Sequence, residues 1–134
     1  MTRTILFVCV GNAGRSQMAE AIFNKLKPDC FQAVSAGTKP AREVNPLVVQ
    51  ALREIGIDAS NGKPKLVSTE IIAKAEKIIT MGCEGSDFCP AKFLPKIRDW
   101  EIEDPKGKTI DEIRSIRDTI HERTVELLHE LQST

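Results

Sequence analysis

The stretch ILFVCVGNAGRS, residues 5–16, decides how this chain is expected to fold. Its first part is a short apolar run rich in β-branched and aromatic residues, which is typical of a buried strand. The run reaches Cys9, and the five residues that follow include two glycines. Arg15 and Ser16 close the loop and begin a segment with helical apolar spacing. The pattern therefore predicts a strand, a loop of small residues and a helix N-terminus in immediate succession.

Strand and helix patterns alternate along the rest of the chain. The predicted strands span residues 4–9, 31–37, 77–82 and 96–102, and the predicted helices span residues 15–27, 45–55, 68–75 and a last segment from 109. This alternation predicts an α/β fold, a three-layer sandwich with a four-stranded parallel sheet. A length of 134 residues suits one core, so we interpret residues 1–134 as a single domain.

The predicted helices carry signals for their starts and for their buried faces. Asn45 is a capping residue and is followed by Pro46, which is favoured at the first helical position. Thr109 and Glu112 have the spacing of a capping box at the start of the last helix. Apolar residues recur every four positions on the first helix and are expected to face the core: Met18, Ile22 and Leu26.

The composition argues against several classes of function. Lys and Arg together number 19, as do Asp and Glu, so no net charge draws the chain to nucleic acid or to a membrane surface. Tyrosine is absent and Trp100 is the single tryptophan, which leaves little for stacking on bases. No apolar run approaches the roughly 20 residues of a membrane span, and the first residues lack a signal-peptide cleavage pattern. We therefore expect a cytoplasmic protein that binds neither nucleic acid nor membrane.

The loop after the first strand has the chemistry of an oxyanion site. Small residues let successive backbone N–H groups point inward as an anion-binding nest, and the helix dipole adds positive potential there. Arg15 supplies a planar fork for two oxygens of a tetrahedral anion. Cys9, beneath this nest, is expected to be an ionised nucleophile held by the Ser16 hydroxyl. We assign anion binding to the segment here called the oxyanion loop, which comprises Val10, Gly11, Asn12, Ala13, Gly14, Arg15 and Ser16.

A plainer interpretation of the same loop makes Cys9 a buried core residue and the loop a simple strand–helix turn. The position between a strand and a helix, together with two glycines, favours the functional interpretation. The loop is not a Walker motif, because the Gly-Lys-Ser/Thr ending is missing, and it is not a GxGxxG dinucleotide fingerprint.

The other candidate residues also follow predicted strands. Cys83 comes directly after the third strand and Asp104 after the fourth. Ligands of parallel α/β sheets bind at the carboxyl ends of the strands, so these side chains are expected to gather near Cys9. Departure of an oxygen from an oxyanion ester needs a proton donor, and Asp104 is the candidate acid. Taken alone, an Asp-Pro pair such as Asp104–Pro105 more often marks only a turn.

The segment VCVGNAGRSQMAEA, residues 8–21, resembles the signature of the low-molecular-weight protein tyrosine phosphatases and of their relatives, the thioredoxin-coupled arsenate reductases. SAGT (35–38), LREIGID (52–58) and EDPKGK (103–108) fall where that superfamily has similar segments. The resemblance extends from about residue 4 to residue 131. It implies a low-molecular-weight phosphatase-like fold and gives Asp104 the role of general acid.

Cysteine content separates the two branches of this superfamily. Cys89 follows Cys83 after five intervening residues, and glycines make the segment pliable. By resemblance to the reductases, Cys9 attacks arsenate, Cys83 attacks the adduct and releases arsenite, and Cys89 resolves the disulfide for reduction by thioredoxin. The resemblance implies thioredoxin or a similar thiol reductant as partner and no bound cofactor. The phosphatases usually have a second cysteine where this chain has Gly14, and aromatic residues where it has Lys106.

Other interpretations stay open from the sequence. The main alternative is a tyrosine or small-molecule phosphatase that uses Cys83 and Cys89 to protect Cys9 from overoxidation. A non-catalytic redox sensor or oxyanion-binding module is a further one, and the cysteine pair also fits ordinary buried thiols or, poorly, a zinc site. The reductant could equally be thioredoxin, glutaredoxin or a dedicated thiol donor. We expect a monomer, and Cys30 is interpreted as a lone buried thiol without a role.

Two departures from the family pattern affect these expectations. The better-known thioredoxin-coupled enzymes have six residues between the relay cysteines, whereas this chain has five. Some members hold potassium near the loop, and Asn12, Glu20 and Ser35 match three of those ligands. The fourth, an aspartate, is replaced by Lys63 or Lys65, so the resemblance supports a potassium site only in part, and Asn12 fits a purely structural role equally well.

Overall fold

The sheet of the computed structural model, which describes residues 2–133, has four parallel strands. They are β1 (Arg3–Cys9), β2 (Phe31–Gly37), β3 (Lys77–Met81) and β4 (Ile97–Asp99), arranged in the order β2-β1-β3-β4. Strand β1 is central and pairs along its whole length with β2, so that Cys9 lies opposite Gly37 and, on the other side, opposite Met81. The predicted parallel sheet of four strands is confirmed. Cys9 is the last residue of β1, which is an inner strand of this sheet.

Helices cover both faces of the sheet and complete the three layers. The helices are α1 (Arg15–Leu26), α2 (Pro46–Arg53), α3 (Thr69–Lys74) and α4 (Ile110–Gln132). Two 3-10 segments, Gly85–Asp87 and Ala91–Lys96, join β3 to β4. No helix among residues 2–133 combines the length and the apolar character that a bilayer crossing requires.

The core forms two layers because successive side chains of β1 point to opposite faces of the sheet. Ile5, Phe7 and Cys9 face the larger layer, which is filled by α1, α2 and α4. Leu6 and Val8 face the smaller layer, which is filled by α3 and by the chain between β3 and β4. All five of these residues are buried, as the apolar run predicted for a strand covered on both faces.

The predicted helix starts are present as hydrogen-bonded caps. The Asn45 side chain accepts a 2.9 Å hydrogen bond from the Leu47 backbone N–H, with Pro46 at the first position of α2. Thr109 and Glu112 form the capping box that starts α4. Both helices therefore begin at the capping residues that the sequence predicted.

Two details of the fold differ from the prediction. Strand β4 covers only Ile97–Asp99 and not residues 96–102, because a 3-10 segment containing Pro95 precedes it and the chain then leaves the sheet toward the loop after β1. Leu26 does not face the core: it is 43% exposed at the end of α1, beside an open groove shared with Ile55 and Ile57.

Candidate active site

The oxyanion loop turns its carbonyl oxygens away from its centre. Each carbonyl from Cys9 to Gly14 accepts a hydrogen bond from outside the loop's interior, and most donors lie in the segment that follows β2. The donors, in loop order, are the backbone N–H groups of Thr38, Lys39 and Ala41, the Gln17 side chain, and the backbone N–H groups of Asn45 and Met18. With the carbonyls engaged outward, the N–H groups are left for the interior of the loop, which is the geometry of a nest.

The Cys9 sulfur is buried and surrounded by hydrogen-bonding groups. The Asn12 backbone N–H donates to Sγ over 3.2 Å, and the Ser16 hydroxyl lies 2.9 Å from Sγ. Cys9 is only 2% exposed, so water contributes little to the stabilisation of a charged sulfur. The Asn12 N–H and the Ser16 hydroxyl therefore take the place of water around this sulfur.

Asn12 holds the Ser16 hydroxyl in place. Asn12 has a left-handed backbone with φ of 51°, which asparagine tolerates better than most residues. Its side-chain amide donates to Ser16 Oγ over 2.7 Å and to Ser35 Oγ over 3.0 Å. Because Ser16 Oγ accepts from Asn12, its own proton is available to donate to the Cys9 sulfur. The structure thus brings Asn12, Ser16 and Ser35 together in one hydrogen-bonded cluster beside the Cys9 sulfur.

The residues around Asn12 do not fit a potassium ion. The Asn12 side-chain oxygen accepts a 3.0 Å hydrogen bond from the Lys65 backbone N–H and a 3.3 Å bond from the Gln17 side chain. Glu20 lies 3.8 Å from the Lys65 ammonium. The oxygens that a cation needs are therefore engaged by protein donors, and a lysine ammonium already neutralises the carboxylate. No group of three or more His, Cys, Asp or Glu residues within the described chain has metal-site geometry.

Gln17 is a site residue that the sequence analysis missed. It is 4% exposed, and its side-chain nitrogen donates to the Asn12 carbonyl over 3.1 Å and to the Lys63 carbonyl over 3.3 Å. Gln17 therefore ties the oxyanion loop to the chain around residue 63. Glutamine next to serine at a helix start carries no distinctive sequence signal, and only the fold shows what it reaches.

Arg15 and Asp104 meet at the mouth of the loop. The Arg15 guanidinium is nearly buried; its Nη1 donates to the Ile102 carbonyl over 3.2 Å, and its Nη2 lies 3.5 Å from Asp104 Oδ2. The other Asp104 oxygen accepts a 3.0 Å hydrogen bond from the Lys106 backbone N–H. The Asp104 side chain is 57% exposed, so it reaches both solvent and the anion site.

Gly14, which has no side chain, leaves space for the loop that carries Asp104. A Cβ atom added to Gly14 would overlap Pro105 Cγ and lie 3.3 Å from Pro105 Cδ. Pro105 is buried against the oxyanion loop at this point. A larger residue at position 14 would therefore displace Pro105 and, with it, Asp104.

A cleft of about 490 Å³ opens above the Cys9 sulfur. The oxyanion loop forms its floor, Asp104, Pro105 and Lys106 form one wall, and the segment after β2 forms the other. The sequence analysis assigned no role to two charged residues of this second wall, Lys39 and Glu43. The cleft thus places the Cys9 thiol, the Arg15 guanidinium and the Asp104 carboxyl group around one space.

Cys83 lies beside β1 on the face opposite the Cys9 side chain. Its Sγ lies 3.6 Å from the Val8 carbonyl oxygen, to which it donates, and the side chain packs on the edge of the smaller core layer. Burial raises the pKa of the Cys83 thiol to about 11, the Met81 backbone hydrogen bond opposes the rise, and the charges of Cys9 and Asp99 add to it. Cys83 is therefore a thiol at neutral pH, close enough to Cys9 for their charges to interact.

Cys89 is buried and Cys30 is exposed. Cys89, the third thiol of the relay that the resemblance implies, is 7% exposed and packs in the smaller core layer, where burial raises the pKa of its thiol. Cys30 was interpreted as a buried thiol, but it is exposed on the turn before β2. All four cysteines are unpaired thiols. Contact between Cys83 and Cys9, or exposure of Cys89, requires the chain between β3 and β4 to rearrange.

Comparisons with known proteins show which family the chain belongs to. A family model described as low molecular weight phosphotyrosine protein phosphatase matches residues 4–134. A putative arsenate reductase of Halobacterium salinarum is 37% identical over 129 residues, which cover 92% of this chain and 89% of that protein. The structure of a thioredoxin-dependent arsenate reductase of Corynebacterium glutamicum superposes with a TM-score of 0.82 at 37% identity, covering 98% of this chain and 62% of that one. An arginine phosphatase of Geobacillus stearothermophilus superposes with a TM-score of 0.88 at 27% identity, covering 98% and 94%.

Proposed function

The chain belongs to the low molecular weight phosphotyrosine protein phosphatase family, and on that basis we propose that it is an arsenate reductase that converts arsenate to arsenite. One observation carries the choice of reduction over hydrolysis. The Cys83 thiol rests against the carbonyl of Val8, the residue directly before the nucleophilic Cys9. Phosphoester hydrolysis needs no second thiol at that place, whereas reduction of arsenate needs two electrons from sulfur.

The first step joins Cys9 to arsenic. The arsenate oxygens take hydrogen bonds from the inward N–H groups of the oxyanion loop and from the Arg15 guanidinium. The Cys9 thiolate, supported by Asn12 and Ser16, attacks arsenic and forms a sulfur–arsenic bond. Asp104 donates the proton with which one arsenate oxygen leaves as water. Arsenic stays in its pentavalent state in this adduct.

The second step reduces arsenic. The thiol of Cys83 loses its proton to solvent, and the resulting thiolate attacks the Cys9 sulfur, forming the Cys9–Cys83 disulfide. The sulfur–arsenic bond breaks and its electron pair stays on arsenic, which leaves as trivalent arsenite. The two sulfurs lose two electrons as they form the disulfide, and arsenic gains these two electrons.

The third step frees Cys9 for another cycle. The Cys89 thiolate attacks the Cys83 sulfur, a Cys83–Cys89 disulfide forms, and Cys9 leaves as a thiolate. An external dithiol then reduces the Cys83–Cys89 disulfide with two electrons and two protons. The thioredoxin-dependent relative supports thioredoxin as this donor. Cys89 is buried at rest, so the reductant meets the disulfide only after the segment has opened.

The cellular setting follows from this chemistry. A relay that thioredoxin regenerates needs a reducing compartment, which supports the cytoplasm as its location. The nucleophile, the arginine, the acid and the two relay thiols all lie in one chain, which supports a monomer as the working unit.

Phosphomonoester hydrolysis is a second candidate function, favoured by the size of the cleft. The volume of about 490 Å³ exceeds what a lone tetrahedral anion fills and leaves room for a leaving group. The same loop, arginine and acid serve that reaction, with water attacking the Cys9 adduct. Arsenate and phosphate are near-isosteric, so a weak phosphatase activity is expected in either case.

The test replaces Cys83 by serine and measures arsenite formation with a thioredoxin-coupled assay. Cys83→Ser should reduce arsenite release by roughly a thousandfold, because the nucleophile of the reducing step is gone. Hydrolysis of an aryl phosphate by the same preparation should stay within about twofold of the unmodified protein, since Cys9, Arg15 and Asp104 are untouched. Cys30→Ser, which removes an exposed thiol distant from the cleft, is the matched control and should leave both activities unchanged.

Two outcomes would contradict the proposal. If Cys83→Ser still releases arsenite over many cycles, the relay assignment is wrong. If the unmodified protein turns over aryl phosphate rapidly and forms no arsenite, the phosphatase is the correct function.

A further inference from the structure

Gly82 rests directly against the Arg15 guanidinium. A Cβ atom built on Gly82 would lie 2.9 Å from Arg15 Cζ and 3.1 Å from Nη2, and still closer to Nη1. Real Cβ atoms essentially never approach other heavy atoms so closely, so no side chain fits there without moving Arg15. Gly82 also has a φ of +80°, which disfavours every L side chain. The backbone at Gly82 is thus one wall of the space that the guanidinium occupies.

The opposite wall is the chain after β4. Arg15 Nη1 donates to the Ile102 carbonyl over 3.2 Å, and Nη2 pairs with Asp104 over 3.5 Å. With Gly82 on the other side, the guanidinium is held between two chain segments and is 7% exposed. An arginine held in this way keeps its fork in one orientation, which lowers the entropic cost of binding an anion.

We propose that Gly82 is a positioning residue for oxyanion binding, acting through Arg15, and that it couples the relay to anion affinity. Gly82 is bonded directly to Cys83, so any movement that brings Cys83 to Cys9 also moves the wall behind Arg15. Affinity for the oxyanion is then high while the segment rests and low once Cys83 has moved. The positioning role stands without the proposed reductase activity, and only the coupling to the relay rests on it.

The first experiment compares two glycine variants by the binding of inorganic phosphate, measured calorimetrically on the reduced protein. Gly82→Ala should weaken phosphate binding by about tenfold or more, because the new methyl group displaces a charge-assisted donor. Gly56→Ala is the matched control: Gly56 has a φ of +82°, and its added Cβ would meet only the end of the Lys25 side chain at 3.8 Å. Both variants place an alanine at a φ near +80°, and only Gly82→Ala should lose affinity.

A double-mutant cycle separates an effect through Arg15 from general damage. Arg15→Lys alone should weaken phosphate binding, since a lysine lacks the planar fork. Adding Gly82→Ala to Arg15→Lys should change the affinity by less than about twofold, because the contact it disturbs no longer exists. Unchanged phosphate affinity in Gly82→Ala, or fully additive effects in the double variant, would overturn the proposal.

A second approach needs no change at Gly82 and serves if Gly82→Ala does not fold. In a chain with Cys9→Ser, Cys30→Ser and Cys89→Ala, Cys83 is the single thiol, and N-ethylmaleimide attaches a bulky group next to Gly82. The modified chain should bind phosphate about tenfold more weakly than the same chain before modification. Adding Cys83→Ser should abolish this effect of the reagent. Equal phosphate affinity before and after modification would overturn the proposal, whatever the chain does with arsenate.

Discussion

At the scale of single residues, the burial of Cys83 sets the pH at which its sulfur becomes an effective nucleophile. Burial raises the pKa of Cys83 to about 11, so its thiolate fraction grows about tenfold for each pH unit below that value. Alkylation of Cys83 by iodoacetamide, followed by peptide mass spectrometry, should accelerate by about tenfold per unit from pH 7 to pH 10. A rate that levels off near pH 9 would contradict the raised pKa.

A change at Asp99 tests one cause of the raised pKa of Cys83. Its carboxylate charge is one of the causes that raise the pKa of Cys83. Asp99→Asn removes this charge, so alkylation of Cys83 at pH 8 should become faster. Cys30, which is exposed, should keep its own rate in the same samples.

At the scale of elements, helices α2 and α4 are joined by one carboxylate. Glu54, at the end of α2, accepts hydrogen bonds of 2.9 and 2.6 Å from Arg114 and one of 3.0 Å from Arg117. The Arg114 guanidinium lowers the pKa of Glu54 from its ordinary value of 4.5 to about 2. A lowered pKa stabilises the fold above about pH 4.5, and this contribution is lost as the pH falls toward 2.

Thermal unfolding of Glu54→Gln should show this dependence. At pH 7 the variant should melt a few degrees lower than the unmodified protein, since it loses the charged pair. Between pH 5 and pH 2.5 its melting temperature should fall less steeply, because it has no carboxylate to protonate at this position. Glu122→Gln, an exposed change on the same helix α4, should follow the unmodified protein. Parallel pH curves for Glu54→Gln and the unmodified protein would contradict this account.

At the scale of the whole molecule, the two core layers are unequal: Cys89 lies in the smaller layer and Cys83 packs against it. The larger layer packs α1, α2 and α4 against the sheet, whereas α3 and the segment 84–96 cover the other face. That segment contains two 3-10 segments and few long-range backbone hydrogen bonds. Opening it exposes less apolar surface than opening the larger layer, so it should open first.

Hydrogen exchange followed by mass spectrometry tests this order. Amides of residues 84–96 should exchange roughly tenfold or more faster than those of β1, α1 and α4. Peptides from α3 indicate whether the whole smaller layer opens or only the segment 84–96. Equal protection of 84–96 and α1 would mean that the resting structure gives Cys89 no easy route to a reductant.

The sequence by itself predicted the architecture, and the family is confirmed. The strand–loop–helix at residues 3–26, the caps at Asn45 and Thr109, and the parallel sheet were all foreseeable. These features depend on apolar periodicity and on hydrogen bonds between residues a few positions apart, which a sequence displays directly. The roles of Cys9, Arg15, Asp104, Cys83 and Cys89 stay predictions, although the structure brings the first three around one cleft.

Only the tertiary structure decided how the site is supported. Three of its supports join residues that are distant in sequence. The segment after β2 donates hydrogen bonds to the loop carbonyls, Gln17 donates to the Lys63 carbonyl, and the Gly82 backbone lies against the Arg15 guanidinium. The burial of Cys89 was likewise decided by packing. Periodicity cannot show such partners, because which distant groups meet is fixed by how the sheet and its helices fold together. The local sequence therefore predicted the strand, the oxyanion loop and the helix that follows it. Long-range packing decided which distant groups support that loop.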